Sequence, residues 1–198
     1  MRPAIQNRRL HKQPGVHMTV SRRLLISSAA ALLPLQTAVA QTAAAKGDWL
    51  AMIQAHHAMI AKSFDQLMAS GNRTYLQRDR LIALIGYQLS AHSLAEENVI
   101  YPALAMSGMT ADSDKLYLYQ SHAKVMNAQM ELAARANREG SAWMEPAKAL
   151  QAAVMKHAKE DEEGRLYPAL KQKISPEQNA LLTAGYAREF ASVRPKRA

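Results

Sequence analysis

The chain contains no cysteine in 198 residues. Disulfides, thiolate nucleophiles, iron–sulfur clusters, Cys-based zinc sites, CxxCH-attached haem and a Cys-linked lipid anchor are thereby excluded. Aromatic residues are scarce at 6%, while Ala, Leu, Met, Gln and Glu abound, a balance that favours helix over sheet. No Glu-x-x-His occurs, so the di-iron arrangement built on that motif is absent too. Nothing resembles a hydrolytic triad, a phosphate loop or a nucleotide site, and Ser90, Ser93 and Ser121 read as ordinary helix polar residues. The length suits one sizeable domain.

Charge is unevenly spread. The formal net charge is +9, yet residues 1–40 hold six Lys or Arg and no acid, and residues 41–198 hold 19 basic and 16 acidic side chains. The remainder is nearly balanced, which excludes a polyanion binder; no nucleic-acid partner is expected. The basic front has its own explanation. Arg22-Arg23 precede the run LLISSAAALLPLQTAVA, too short for a permanent span and ending in the small-x-small pattern Ala38-Val39-Ala40. This resembles a twin-arginine export signal, although Ile26 stands where Lys is frequent. Met18 is the expected start, with residues 1–17 as upstream sequence. The expected organisation is therefore 1–40 as upstream residues and secretion signal, and 41–198 as an exported, periplasmic domain without stable membrane insertion after cleavage.

Four long helical patterns follow. In the first, from about 46 to 70, Trp49, Ile53, His57, Ile60, Phe64 and Leu67 recur at steps of three and four and form one inward stripe. The second runs from about 74 to 101, where Pro102 is expected to bend or end it, with Asp112 or Ser113 capping the third. The third spans about 114–137, on a stripe of Leu118, His122, Val125 or Met126, Gln129 and Leu132. The fourth runs from about 142 to 167, with Pro168 repeating Pro102. Ser175-Pro176 opens a short fifth helix packed through Leu181, Leu182, Tyr186 and Phe190. The expected fold is all-α, an up-down-up-down four-helix bundle with a short C-terminal fifth helix. Methionines at helical spacing read as packing.

The histidines carry the chemistry. His57 and His92 are 35 residues apart, as are His122 and His157. Each pair ends in a similar string, HSLAEENVIYP and HAKEDEEGRLYP. His92 and Glu96 share a helical face at four residues. The inward stripe and the repeated count both select His57 over His56. In the fourth helix the Pro frame selects Glu162, while simple helical phase favours Asp161; Glu162 is preferred and Asp161 stays open. Inward carboxylates and imidazoles without a cation would be costly to bury, so the expected metal ligands are His57, His92, Glu96, His122, His157 and Glu162.

Together these residues resemble the hemerythrin-like (HHE) cation-binding family over about residues 48–170. The resemblance implies a four-helix bundle around a carboxylate-bridged, binuclear non-haem iron centre, with the four histidines as terminal ligands and Glu96 and Glu162 as bridges. The donor set suits iron, with zinc or manganese as alternatives. Oxygen carriers of that family place two histidines four apart on the third helix, and here Met126 follows His122 at that distance. The implied function is binding of oxygen or a related small ligand such as nitric oxide or peroxide. A di-iron oxidoreductase acting on peroxide or nitric oxide, and a zinc-stiffened interaction module, are the alternatives. Tyr87, Tyr117 or Tyr119 could stand beside the open position.

Overall fold

A computed structural model describes residues 47–195; the expected export signal lies outside them. The architecture is all-helical. Helix α1 (Trp49–Met68) is capped by Asp48, whose side chain accepts from the Ala51 amide. Helix α2 (Tyr75–Ala95) starts at a reciprocal Thr74/Gln77 capping box and passes into a π-helical segment, π1 (Glu96–Ile100), and then α3 (Tyr101–Met106). Helix α4 (Thr110–Ala136) follows a turn in which Gly108 takes a φ of +84°, a value L side chains rarely adopt. Helix α5 (Met144–Lys156) leads into a second π-helical segment, π2 (His157–Leu166), and then α6 (Tyr167–Lys173). Helix α7 (Pro176–Ser192) opens on a Ser175/Gln178 capping box with proline in its first turn.

Four rods therefore pack side by side: α1, α2–π1–α3, α4, and α5–π2–α6. Helix α7 lies against α1, α2 and π1. Neither proline ends its rod. The amide of Tyr101 bonds to the Glu96 carbonyl and that of Tyr167 to the Glu162 carbonyl, five residues back in both cases. An α-helical proline ring collides with the carbonyl four residues earlier. The wider π turn relieves that collision and lets both rods run on. The third rod begins at Thr110, ahead of both expected caps; Ser113 is instead buried inside α4, donating to the Tyr101 carbonyl at 2.8 Å.

The core has two apolar halves with a polar layer between them. Trp49, Ile53, Ile100, Tyr101, Leu104, Tyr167 and Tyr186 fill one; Ile60, Phe64, Leu67, Ile85, Met130, Trp143 and Leu150 fill the other. On α1, His57 sits between Ile53 and Ile60 of the buried stripe, which places it in that layer. On α4 the inward residues are Leu116, Gln120, Ala123, Met130 and Ala134. The stripe expected to face inward points out: Leu118, Val125 and Leu132 are 72%, 55% and 64% exposed. Among the described residues no helix is long and apolar enough to cross a membrane.

Candidate metal centre

Five of the six expected ligands meet in the polar layer. One ligand atom from each of His57, His92, Glu96 and Glu162 lies within 4.8 Å of the others, and all four residues are buried. His57 Nε2 stands 3.0 Å from His92 Nε2 and 3.1 Å from Glu162 Oε2. His92 Nε2 is 3.2 Å from Glu96 Oε2, and His157 Nε2 is 3.0 Å from Glu162 Oε1. His122 does not join them: it lies exposed on the outer face of α4. Of the two candidate acids, Glu162 is the one in the cluster. The π turn adds a residue per turn, so five residues, rather than four, return a side chain to the face of His157. Asp161 points away, half-exposed, with Oδ2 3.2 Å from His157 Nδ1.

Each imidazole has an outer partner that decides where its proton sits. His57 Nδ1 is 2.7 Å from Glu163 Oε1, and Lys159 holds Glu163 from outside at 2.6 Å. Glu163 and Asp161 are carboxylates and only accept. The Nδ1 atoms of His57 and His157 therefore carry hydrogens, and each ring turns its Nε2 inward. Tyr186 of α7 stands 3.0 Å from His92 Nδ1 and 2.9 Å from His56 Nδ1. Imidazole nitrogens and carboxylate oxygens thus converge on one small region. His157 Nε2 and Glu162 Oε2 lack an aligned hydrogen-bond partner despite their close neighbours. That donor set fits a divalent or trivalent cation.

Without a cation, protons must take its place, and the titration shifts say where. Burial raises Glu96, the neighbouring Glu162 charge raises it further, and it stands well above the usual carboxylate range although Tyr167 and Tyr101 pull it down. Glu162 goes the other way: burial opposes ionisation, but His157 and His57 outweigh it and hold it low. Burial lowers His157, and Glu162 and Asp161 more than restore it. His92, buried beside His57, is pushed well below its usual value. Tyr167 Oη lies 2.6 Å from Glu96 Oε1 and 2.8 Å from Glu162 Oε1, and one hydroxyl proton cannot serve both. A proton on Glu96 completes that chain.

The family model for the hemerythrin HHE cation binding domain matches residues 49–170. The chain belongs to that family. Searches of curated proteins and of solved structures find no match to it. The hemerythrin-type bundle here carries a buried His/His/Glu/Glu metal-binding cluster. Its third rod is the departure. The α4 residues four apart that face the cluster are Tyr119 and Ala123, not His122 and Met126. Tyr119 stacks on His157 with ring centroids 3.5 Å apart. Gln120 donates to Glu96 Oε2 at 3.1 Å and to the Tyr101 hydroxyl at 2.8 Å, and is held by Ser93 at 2.6 Å. Tyr117 instead donates to the Glu97 carbonyl near the surface. Tyr101, Tyr167 and Glu163 were all present in the paired EE…YP strings, whose repetition was the available signal. Tyr186, His56 and Gln120 depend on contacts that no spacing announces.

Proposed function

We propose that this chain is an exported, non-haem iron protein in which His57, His92, His157, Glu96 and Glu162 hold a binuclear, carboxylate-linked iron centre that takes dioxygen, nitric oxide or peroxide. The observation that carries this reading is the convergence of ligand atoms: three Nε2 positions and two carboxylates face one another, with Glu163 and Asp161 placing hydrogens on the outer nitrogens of His57 and His157. Iron bound there supplies a change of oxidation state and a Lewis-acidic face for a small ligand. The chain does the rest. Glu163, Asp161 and Tyr186 hold the imidazoles in one orientation, Tyr167 and Gln120 hold the carboxylates, and the two apolar halves of the core flank the polar layer above and below. Export by the twin-arginine route is supported by Arg22-Arg23, the short apolar run and the Ala38-Val39-Ala40 site. Folding around the metal before export would limit capture of a wrong ion outside.

A second reading, turnover of peroxide or nitric oxide, is favoured by the third rod. It offers no histidine to the centre and leaves a cavity of about 190 Å³ against His57, His92, His157 and Glu162. Metal analysis of the native protein, with its optical spectrum in air and after reduction, tests both. Two irons per chain with reversible oxo-to-iron bands support binding; irreversible oxidation with peroxide consumption supports turnover. One zinc and a featureless spectrum refute both. His57→Ala is expected to lose metal and His122→Ala to keep it.

A further inference from the structure

The cavity against the cluster is larger than a diatomic ligand requires. It encloses about 190 Å³, and an apolar cavity of roughly 150 Å³ admits a benzene molecule. It runs between α2 and α4, which meet only sparsely, and reaches solvent at the exposed side chains of Ser90 and Lys124. Leu89, Ala123 and Val154 give it an apolar wall.

Several of its polar atoms are unsatisfied. Four buried side-chain atoms without an aligned hydrogen-bond partner belong to residues lining this one space: Tyr119 Oη, Asn127 Oδ1, His157 Nε2 and Glu162 Oε2. Buried polar groups in folded proteins are almost always paired, so a cluster of exceptions marks a missing partner. A metal ion accounts for His157 and Glu162 at the floor. Asn127 lies beyond its reach, roughly 12 Å farther along α4 at 1.5 Å per residue, and the Tyr119 hydroxyl, as an O–H, is free to donate to a bound molecule. A hydroxyl both donates and accepts. It is the head group that meets a Tyr119 donor beside a Glu162 acceptor, and a small carbon body fits the wall of Leu89, Ala123 and Val154.

We propose that this cavity binds a small, neutral, hydroxyl-bearing organic molecule of about the size of phenol, its oxygen at the floor beside Tyr119 and Glu162 and its ring toward Ala123 and Val154. The assignment rests on the metal-centre reading for what the oxygen finally faces, but Tyr119, Ala123 and Val154 belong to the protein with or without an ion.

The test is a titration of phenol into the full chain. It is run once as isolated, with metal content measured, and once after treatment with a chelator, following backbone amide shifts by NMR. Saturable one-to-one binding with shifts concentrated in α2, α4, the end of α5 and π2 is expected. Tyr119→Phe should weaken it roughly three- to ten-fold, the worth of one hydrogen bond. Ala123→Leu should abolish it by filling the wall, with helical content retained on circular dichroism. Absence of saturable binding to a folded protein overturns the inference, as does wild-type affinity in both variants. Azide binding without phenol binding in metal-loaded protein overturns it while leaving the metal centre standing. Phenol binding by a protein that never carries metal upholds the cavity and removes the metal reading.

Discussion

The phenol oxygen of Tyr186 is the point where α7 meets the metal cluster, and its removal separates orientation from packing. Tyr186 is fully buried, and burial raises its pKa well above the ordinary value, so it remains O–H across the usable pH range. One hydroxyl proton stands between two Nδ1 atoms, at 2.9 Å from His56 and 3.0 Å from His92. If His92 turns its Nε2 lone pair inward, its Nδ1–H must donate to Tyr186, and Tyr186 must then donate to His56. The order of protons along His92–Tyr186–His56 is thus fixed by what His92 does at the centre. Tyr186→Phe deletes both hydrogen bonds while keeping the ring that stacks on His56 and Phe190.

Both Nδ1 atoms lose their hydrogen bond to the Tyr186 hydroxyl. At roughly 1–2 kcal/mol for each buried hydrogen bond removed, the metal-free protein should lose about 2–4 kcal/mol against urea. A merely structural residue would do the same. The discriminating measurement is metal affinity by chelator competition, where loss of the group that orients a ligating imidazole typically costs roughly 10- to 100-fold. His56→Ala, at the far end of the chain, should weaken metal binding much less, because Tyr186 can still accept from His92. A Tyr186→Phe protein that loses stability but holds metal as tightly as wild type would refute the reasoning. So would long-range imidazole NMR placing the His92 proton on Nε2 in the loaded protein.

Three further outcomes are expected. Glu162→Ala should abolish metal binding, measured as metal content after dialysis, while Asp161→Ala lowers affinity only modestly by freeing His157 Nδ1; equal losses would mean that the π turn does not set the ligand. Glu96 has a folded pKa raised above its unfolded value, so the metal-free protein should lose stability as pH rises from the ordinary carboxylate range through that raised value. Glu96→Gln, which cannot ionise, should be the more stable protein at pH 7 in urea unfolding, and a less stable variant would refute the assignment. Gly164→Ala should destabilise by roughly 1–3 kcal/mol, because a Cβ there would meet the Lys159 carbonyl oxygen at 2.7 Å inside π2; a rise in melting temperature would show that π2 reverts to ordinary helix at no cost.

The buried stripe from Trp49 to Leu67 was legible because α1 places Trp49, Ile53, Ile60, Phe64 and Leu67 on one face. On α4 the large apolar residues are divided, Leu116 and Met130 inward and Leu118, Val125 and Leu132 outward. Side-chain size then chooses the wrong face, because the inward positions near the cluster are filled by Gln120 and Ala123. The 35-residue count misled for a related reason. His57 stands eleven residues before its helix ends and His122 fourteen. A count that crosses a turn preserves neither the level nor the phase of a side chain. His56, set aside because it leaves the inward stripe, is nevertheless buried, since α7 covers that second face with Tyr186 and Phe190. The Pro frame succeeded where helical phase pointed to Asp161, because the same π geometry that accommodates Pro168 also shifts Glu162 onto the face of His157.

The absence of a third-rod histidine from the cluster and the cavity beside it are one structural fact. Where α4 faces the centre, an imidazole at position 123 would occupy the space that the cavity now holds, and one at position 119 would replace the ring stacked on His157. Small and aromatic side chains there leave the first, second and fourth rods to supply every histidine, and they leave the centre open on one side. The side that is open is the side on which the buried Tyr119 hydroxyl lacks a partner. The absence of a third-rod histidine and the partly apolar space beside the cluster therefore arise from the same two positions. The volume beside the cluster, about 190 Å³ and lined by three imidazoles and a carboxylate among its walls, is what the proposed organic ligand would fill.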